Sequence, residues 1–267
     1  MVDYIGIDAG GSLVKLAYIE QGKLHTKTFS NQHLDEVVKW LSFLSPSAEL
    51  FVTGGKASSL KSLTQNNCHF FNEFQAVTAG TKYLLKENGV VNEEFILVNI
   101  GTGTSIFHVT ANSFERVLGS GIGGGTLMGL GYLITRHKDF QTFIRMASEG
   151  DSRNSDLLVR DIYAPEEPPI HGNLTAANLG KAHLNEGATN NDHLASVMQL
   201  IGETILLLAN QVATTKQISQ IVFVGGTVTN NPELKDIFMR FRDMMSYEPI
   251  FLDKGTHAGA IGALLSR

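Results

Sequence analysis

The chain has 267 residues, 43% hydrophobic and 18% charged, and its 21 basic and 26 acidic side chains give a formal charge of −5; this is the profile of a globular protein with a sizeable core and excludes a disordered chain. The acidic balance, without a basic block, argues against nucleic acid or an anionic membrane as main partner, and the one cysteine, Cys68, excludes an internal disulfide, a multi-cysteine zinc site or an Fe–S cluster built within the chain. No segment approaches the ~18–20 apolar residues of a membrane span, and Asp3 and Asp8 interrupt the apolar run at the start, so a cytoplasmic protein is expected.

Residues 3–8, 13–20 and 23–29 read as three successive strands, separated by a Gly10-Gly11 turn and a Gln21-Gly22-Lys23 turn. The first turn is the most informative stretch. An apolar strand ends in Asp8, two glycines and Ser12 follow, and the next strand carries Lys15. Glycines let backbone N–H groups come close to a ligand. A hydroxyl and a lysine suit phosphate oxygens, and a carboxylate at a strand end suits a hydrated Mg²⁺. A nucleotide-phosphate site fits these residues, and so does a plain hairpin whose glycines only make the turn.

Helix-forming sequence covers Leu34–Leu44, and Glu49–Thr53 reads as a strand closed by Gly54-Gly55. A helix is expected from about Glu73 to Glu87, with Asn72 placed to cap it. Glu73 is then either a first-turn glutamate favoured by the helix dipole or a general base that takes a proton from a substrate hydroxyl. Residues 95–118 repeat the opening layout: strand 95–100, the turn Gly101-Thr102-Gly103-Thr104, strand 105–110, a second turn and strand 114–118. Two copies of a strand, glycine turn and strand suggest two related lobes facing one another. Arg116 in the last of these strands fits a solvated strand position or a fork for a substrate carboxylate.

The densest glycine cluster, Gly119-Ser120-Gly121-Ile122-Gly123-Gly124-Gly125, lies between a strand and a helix expected at Thr126–Thr135, where free N–H groups and the helix dipole favour anions. Residues 119–124 also spell G-x-G-x-x-G. The dinucleotide fingerprint needs a βαβ unit with an acidic residue ending the next strand, whereas Asp139–Ala147 reads as helix and the strand before the glycines arrives from a meander. No G-x-x-x-x-G-K-[ST] occurs. A long helix is expected at 193–214, with an apolar face through Val197, Leu200, Ile201, Ile205 and Leu208. A strand Gln220–Val224 stopped by Gly225-Gly226 follows, then a helix opened by Asn231-Pro232 and a closely packed last helix from Gly255 to Leu265. His137, His171 and His183 show no metal-ligand spacing. Three glycine turns after strands, at 10–12, 101–104 and 225–227, on two repeated lobes, favour the nucleotide site.

These stretches carry a resemblance. Asp8-Ala9-Gly10-Gly11-Ser12-Leu13-Val14-Lys15 is similar to the first phosphate motif of the actin/hexokinase/Hsp70 superfamily. Asn99-Ile100-Gly101-Thr102-Gly103-Thr104-Ser105 resembles its second, and Val222-Phe223-Val224-Gly225-Gly226 its adenosine motif. Within the superfamily the chain resembles the type II pantothenate kinases of the compact bacterial kind found in staphylococci. The distinguishing pieces are the Lys15 spacing, Phe71-Asn72-Glu73-Phe74 followed by Ala76, and Arg116-Val117. Gly123-Gly124-Gly125 with Gly129-Leu130-Gly131-Tyr132-Leu133, and Leu174-Thr175-Ala176-Ala177-Asn178, complete the set.

The resemblance implies an α/β, two-lobe actin-like ATPase fold, a duplicated ribonuclease H-like βββαβαβα. Residues 1–96 would form the first lobe and 97–255 the second, with a last helix at about 256–267 packing back on the first. It implies ATP and Mg²⁺, phosphorylation of the primary hydroxyl of pantothenate as the first step toward coenzyme A, and a homodimer. The catalytic base falls on Glu73. Nucleotide contacts fall on Asp8, Ala9, Gly10, Gly11, Ser12, Lys15, Thr102, Gly124, Gly125, Thr126, Leu127, Met128, Phe140 and Gly226. Substrate contacts fall on Glu73, Thr104 and Arg116, and the metal on Asp8 through water. Ser12 stands where Thr is more usual, which keeps the hydroxyl. A sugar or acetamidosugar kinase of the same superfamily and a non-kinase ATPase switch are the alternatives.

Overall fold

The computed structural model describes residues 2–90 and 93–267. Strands β1 (Tyr4–Ala9), β2 (Leu13–Glu20) and β3 (Lys23–Ser30) form an antiparallel meander in which Asp8 pairs with Lys15 and Lys15 with Thr28. Helix α1 (Leu34–Leu44) covers the sheet and leads to β4 (Glu49–Thr53), parallel to β1; α2 (Ala57–Lys61), β5 (Cys68–Phe70) and α3 (Glu73–Glu87) complete the unit. The central strand β1 buries Ile5, Ile7 and Ala9 completely on one face and Gly6, against α11, on the other, as a strand covered on both faces must. Helix α3 starts at Glu73 because the Asn72 side chain accepts hydrogen bonds from the amides of Phe74 and Gln75.

The second unit opens with the meander β6 (Phe95–Ile100), β7 (Thr104–Val109) and β8 (Phe114–Ser120). Helices α4 (Gly124–Thr135) and α5 (Phe140–Glu149) follow. A small ribbon of β9 (Leu157–Leu158) and β10 (Thr175–Ala177), with α6 (Val159–Tyr163) between them, then leads to α7 (Asn190–Lys216). Strand β11 (Gln220–Val224) returns parallel to β6, followed by α8 (Gly226–Thr229), α9 (Pro232–Arg240), α10 (Arg242–Met245), β12 (Glu248–Phe251) and α11 (Ala258–Leu265). The two large sheets run β3-β2-β1-β4-β5 and β8-β7-β6-β11-β12. Both are order 3-2-1-4-5 within their unit, antiparallel on one side of the first strand and parallel on the other. The duplicated α/β architecture expected from the sequence is present, with α5, α6, α7 and the ribbon enlarging the second copy.

The last helix of each unit, α3 and α11, cross in contact between the sheets. A Cβ on Gly80 would lie 1.9 Å from the Ala258 carbonyl oxygen, and one on Gly262 would lie 1.7 Å from that of Ala76. The contact is reciprocal: Ala76 and Gly80 on α3 meet Ala258 and Gly262 on α11, the same four-residue spacing on one face of each helix. Gly6 of β1 lets α11 down onto the first sheet, since a Cβ there would meet the Ala260 carbonyl at 2.0 Å. Helix α7 is long and apolar enough to cross a membrane by composition. Its apolar face instead packs in the core of the second unit, where Leu194, Val197, Ile201, Ile205 and Ala209 are fully or almost fully buried.

Elements beyond the sequence reading are short. Strands β5 and β12 sit at the parallel edge of each sheet, and with three and four residues they leave too little pattern to detect. The helix expected at 193–214 begins earlier because Thr189 and Asp192 form a reciprocal capping box. The last helix is preceded by a 3₁₀ turn, Gly255–His257.

Candidate active site

The turns after β1 and β6 face one another: the hydroxyls of Ser12 and Thr102 stand 3.2 Å apart. Behind Ser12, Lys15 Nζ donates to Asp8 Oδ2 at 3.1 Å, and both side chains are 14% exposed. Asp8 is packed by glycines from two further elements. A Cβ on Gly259 of α11 would lie 3.0 Å from Asp8 Oδ2, and one on Gly54, at φ +93°, 2.7 Å from Oδ1. Only glycine fits at Gly54 on both counts. The first turn of α11 therefore sits against Asp8, where the helix dipole favours a carboxylate.

Glu73 is brought to this cluster through the sheet. Thr53 pairs with Asp8 in the parallel register, and its hydroxyl donates to the carbonyl of Phe71, two residues before Glu73. Removal of water by surrounding protein raises the Glu73 carboxyl above the ordinary range; Asp8 raises it further and Lys15 opposes both. The residue keeps a solvent-exposed side, which screens part of this effect. Arg116 comes to the same place from the second unit. Its Nε donates to Ser105 Oγ at 3.2 Å and its guanidinium lies 5.4 Å from the ring of Phe74, the neighbour of Glu73. His257, at the start of α11, bonds Thr28 Oγ1 at 3.0 Å, and burial together with Lys15 pushes it down to about 4, so its ring is neutral near pH 7.

The glycine run requires a correction. Free amides at 123–125 were expected to face an anion, but Gly124 N–H donates to the Gly101 carbonyl at 2.9 Å and Gly125 N–H to the Thr102 carbonyl at 2.8 Å. The glycines permit a close approach instead. A Cβ on Gly123 would lie 2.9 Å from Gly103 Cα, on Gly124 2.4 Å from Thr227 Oγ1, and on Gly125 2.9 Å from Thr102 Cγ2. The N-terminus of α4 is thus docked onto the second turn. Thr126 donates its hydroxyl to the Gly121 carbonyl, and Leu127 is buried with its amide on Gly123. Met128 and Phe140 pack against the core of the second unit.

Thr104 is 4% exposed and donates to the Ile122 carbonyl at 2.8 Å, so its hydroxyl fastens the glycine loop. Gly226 opens α8, and the next residue, Thr227, donates to the Gly101 carbonyl at 2.9 Å, which ties the third glycine turn to the second. Ala9 and Gly10 lie at the end of β1 and in its turn, where Gly10 N–H bonds the Leu13 carbonyl. A cavity of about 510 Å³ between α5, α7 and α9, lined in part by Met198, Gln199 and Arg240, holds none of these residues. Sequence reasoning missed Thr53, Thr227, His257 and Asn31, which act through contacts with residues distant in sequence. Only the proximity of Thr227 to a glycine turn offered a signal.

A family model described as Fumble matches residues 19–266. The type II pantothenate kinase of Oceanobacillus iheyensis is 49% identical over 263 residues, covering 98% of each chain. Among solved structures, the activator of the 2-hydroxyisocaproyl-CoA dehydratase from Clostridium difficile, with bound ADPNP, superposes with a TM-score of 0.64 at 16% identity, covering 100% of this chain and 94% of that one. A ROK family glucokinase from Streptomyces griseus, in complex with glucose and AMPPNP, gives a TM-score of 0.57 at 12% identity, covering 100% and 99%. At such identities the structural likenesses speak to the two-lobed fold alone.

Proposed function

The chain belongs to the Fumble family and, within it, to the type II pantothenate kinases, and from that membership we propose that the cleft between the two turns transfers the γ-phosphoryl group of ATP to the primary hydroxyl of pantothenate, the first step toward coenzyme A. The observation that carries the site assignment is the Asp8–Lys15 pair beside the facing turns, with Thr53, the strand partner of Asp8, holding the Phe71 carbonyl two residues before Glu73. Glu73 accepts the hydroxyl proton, and a carboxyl raised above its ordinary range by burial is a stronger base than a free glutamate. Lys15, Ser12 and Thr102 meet the phosphate oxygens, where phosphoryl transfer mainly asks for positioning and neutralisation of charge. The donor set suits phosphate: the Ser12 and Thr102 hydroxyls come from opposite turns and hydrogen-bond each other at 3.2 Å, and they would part to take phosphate oxygens between them. Asp8 would hold Mg²⁺ through water, and the ion would supply positive charge against the phosphates. Arg116 meets the carboxylate end of pantothenate, held by Ser105 and Phe74.

The lobe boundary expected at 96/97 falls inside β6, so the two lobes are taken as the unit ending with α3 and the unit opening with β6, with α11 joined to the first. The working form is a cytoplasmic homodimer, as the family implies, with the apolar Leu207, 57% exposed on α7, as a candidate contact, and it is checked by the mass in solution. ATP consumption is expected with pantothenate and not with N-acetylglucosamine or without acceptor. Turnover with the sugar alone would replace this reading with a sugar kinase, and turnover without any acceptor would replace it with an ATPase switch.

A further inference from the structure

The turn after β1 is held from behind by a residue that belongs to none of the motifs. Asn31 directly follows β3; its Nδ2 donates to the Gly11 carbonyl at 3.0 Å and its main-chain N–H to the Ser12 carbonyl at 3.0 Å. On the other side of the turn, Gly11 and Ser12 approach Thr102 across the cleft. In a trans peptide the carbonyl and the following N–H point in opposite directions. With the Gly11 carbonyl drawn back toward Asn31, the Ser12 N–H is directed away from Asn31 and toward the space between the turns. Gly11 has no Cβ to oppose the change in its ψ that a flip of the Gly11–Ser12 peptide needs, and a flip would present a carbonyl oxygen where phosphate is to bind.

The second unit meets the same need by other means. The carbonyl of Thr102, the middle residue of its turn, receives Gly125 N–H, and the carbonyl of Gly101 receives both Gly124 N–H and the Thr227 hydroxyl. Among the described residues no α-helix start donates to the carbonyls of Gly10, Gly11 or Ser12; the side chain and amide of one asparagine do the work there that α4 and Thr227 do in the second turn.

We propose that Asn31 is a positioning residue for the ATP phosphates, fixing the Gly11–Ser12 peptide with its N–H toward them. The proposal rests on the reading of this turn as a phosphate site, and the test separates the two. Calorimetry would measure binding of AMPPNP and of adenosine to the unmodified protein and to Asn31→Ala, Asn31→Asp and Lys15→Ala, with steady-state kinetics and a melting curve for each. Losing one orienting hydrogen bond should weaken AMPPNP about tenfold in Asn31→Ala. Asn31→Asp, which sets a carboxylate against the Gly11 carbonyl, should weaken it more. Adenosine binding and KM for pantothenate should stay within about twofold and the melting temperature within a few degrees, because the main-chain bond from residue 31 remains. Equal losses for adenosine and AMPPNP would mean a purely structural role and overturn the proposal. Unchanged AMPPNP binding in both Asn31 variants, with Lys15→Ala weakened, would overturn it and leave the phosphate site standing. Unchanged AMPPNP binding in Lys15→Ala as well would remove the phosphate site and the proposal together.

Discussion

The turns after β1 and β6 occupy equal places in two copies of one folding unit, yet they are made of different material. In the first copy the second pair of residues from the turn is Asp8 and Lys15, an ion pair; in the second copy it is Asn99 and Ser105, both neutral. The first turn is pinned by Asn31, the second by a helix N-terminus that needs three successive glycines to come close enough. The duplicated backbone supplies the facing geometry, and divergence supplies the chemistry. Charge is concentrated on the first copy, while the second contributes shape, the Thr102 hydroxyl and, through Ser105, the anchor of Arg116.

The hardest test of this division is Glu73→Gln, which removes the base from the charged copy and keeps its size and polarity. Turnover should fall about 10²–10⁴-fold, with AMPPNP binding retained, since the nucleotide contacts proposed above lie on other residues. Near-normal kcat would take the base out of the first copy and end the assignment.

A second test addresses what the copies share. Because Gly80 and Gly262 meet the opposite helix reciprocally, Gly80→Ala and Gly262→Ala should cost similar amounts of stability, about 1–3 kcal/mol or more, the usual penalty for overpacking a tight contact. Chemical denaturation would read this directly. A cost at one glycine only would show that the crossing is not symmetric in energy, whatever its geometry.

A third test falls on the second copy. Arg116→Ala should raise KM for pantothenate about tenfold, the usual scale for losing a charge-assisted contact, and leave KM for ATP within about twofold. Parallel rises in both constants would mean that Arg116 supports the whole cleft through Phe74 and Ser105 and does not read the acceptor.

Much of this was legible in the sequence, for physical reasons that differ by element. The hairpins announce themselves because β-forming runs alternate with glycine turns, and α3 does so because Asn72 is a strong cap directly before Glu73. The glycine run was visible but its purpose was not. A glycine that frees an amide for a ligand and one that admits another backbone look alike in sequence, and only the Thr102 and Thr227 contacts tell them apart. Thr104, a substrate contact by the resemblance, is buried and donates its hydroxyl to the Ile122 carbonyl, a fastening of the loop that no sequence pattern announced. Asn31 left no trace at all, since its partners are 20 residues away across a meander.

The smallest expected effect is also the most discriminating, because it has a sign. Glu73 must be ionised to accept a proton, so kcat/KM for pantothenate falls as pH drops through its pKa, which burial and Asp8 raise and Lys15 lowers. The acid limb of the profile should therefore lie above the range of an ordinary glutamate. Lys15→Met removes the opposing charge and should move the limb to higher pH; Asp8→Asn removes the reinforcing charge and should move it lower. Both displacements should shrink in high salt, because Glu73 keeps an exposed side and its charge interactions are open to screening. The rate that remains on the alkaline plateau measures something else, the direct loss of phosphate and metal contacts, so the position and height of one curve separate tuning of the base from stabilisation of the transferred group. If both variants reduce the plateau and leave the limb in place, Glu73 does not sense the ion pair. The first copy would then hold a phosphate clamp and a base as independent parts, not one coupled cluster.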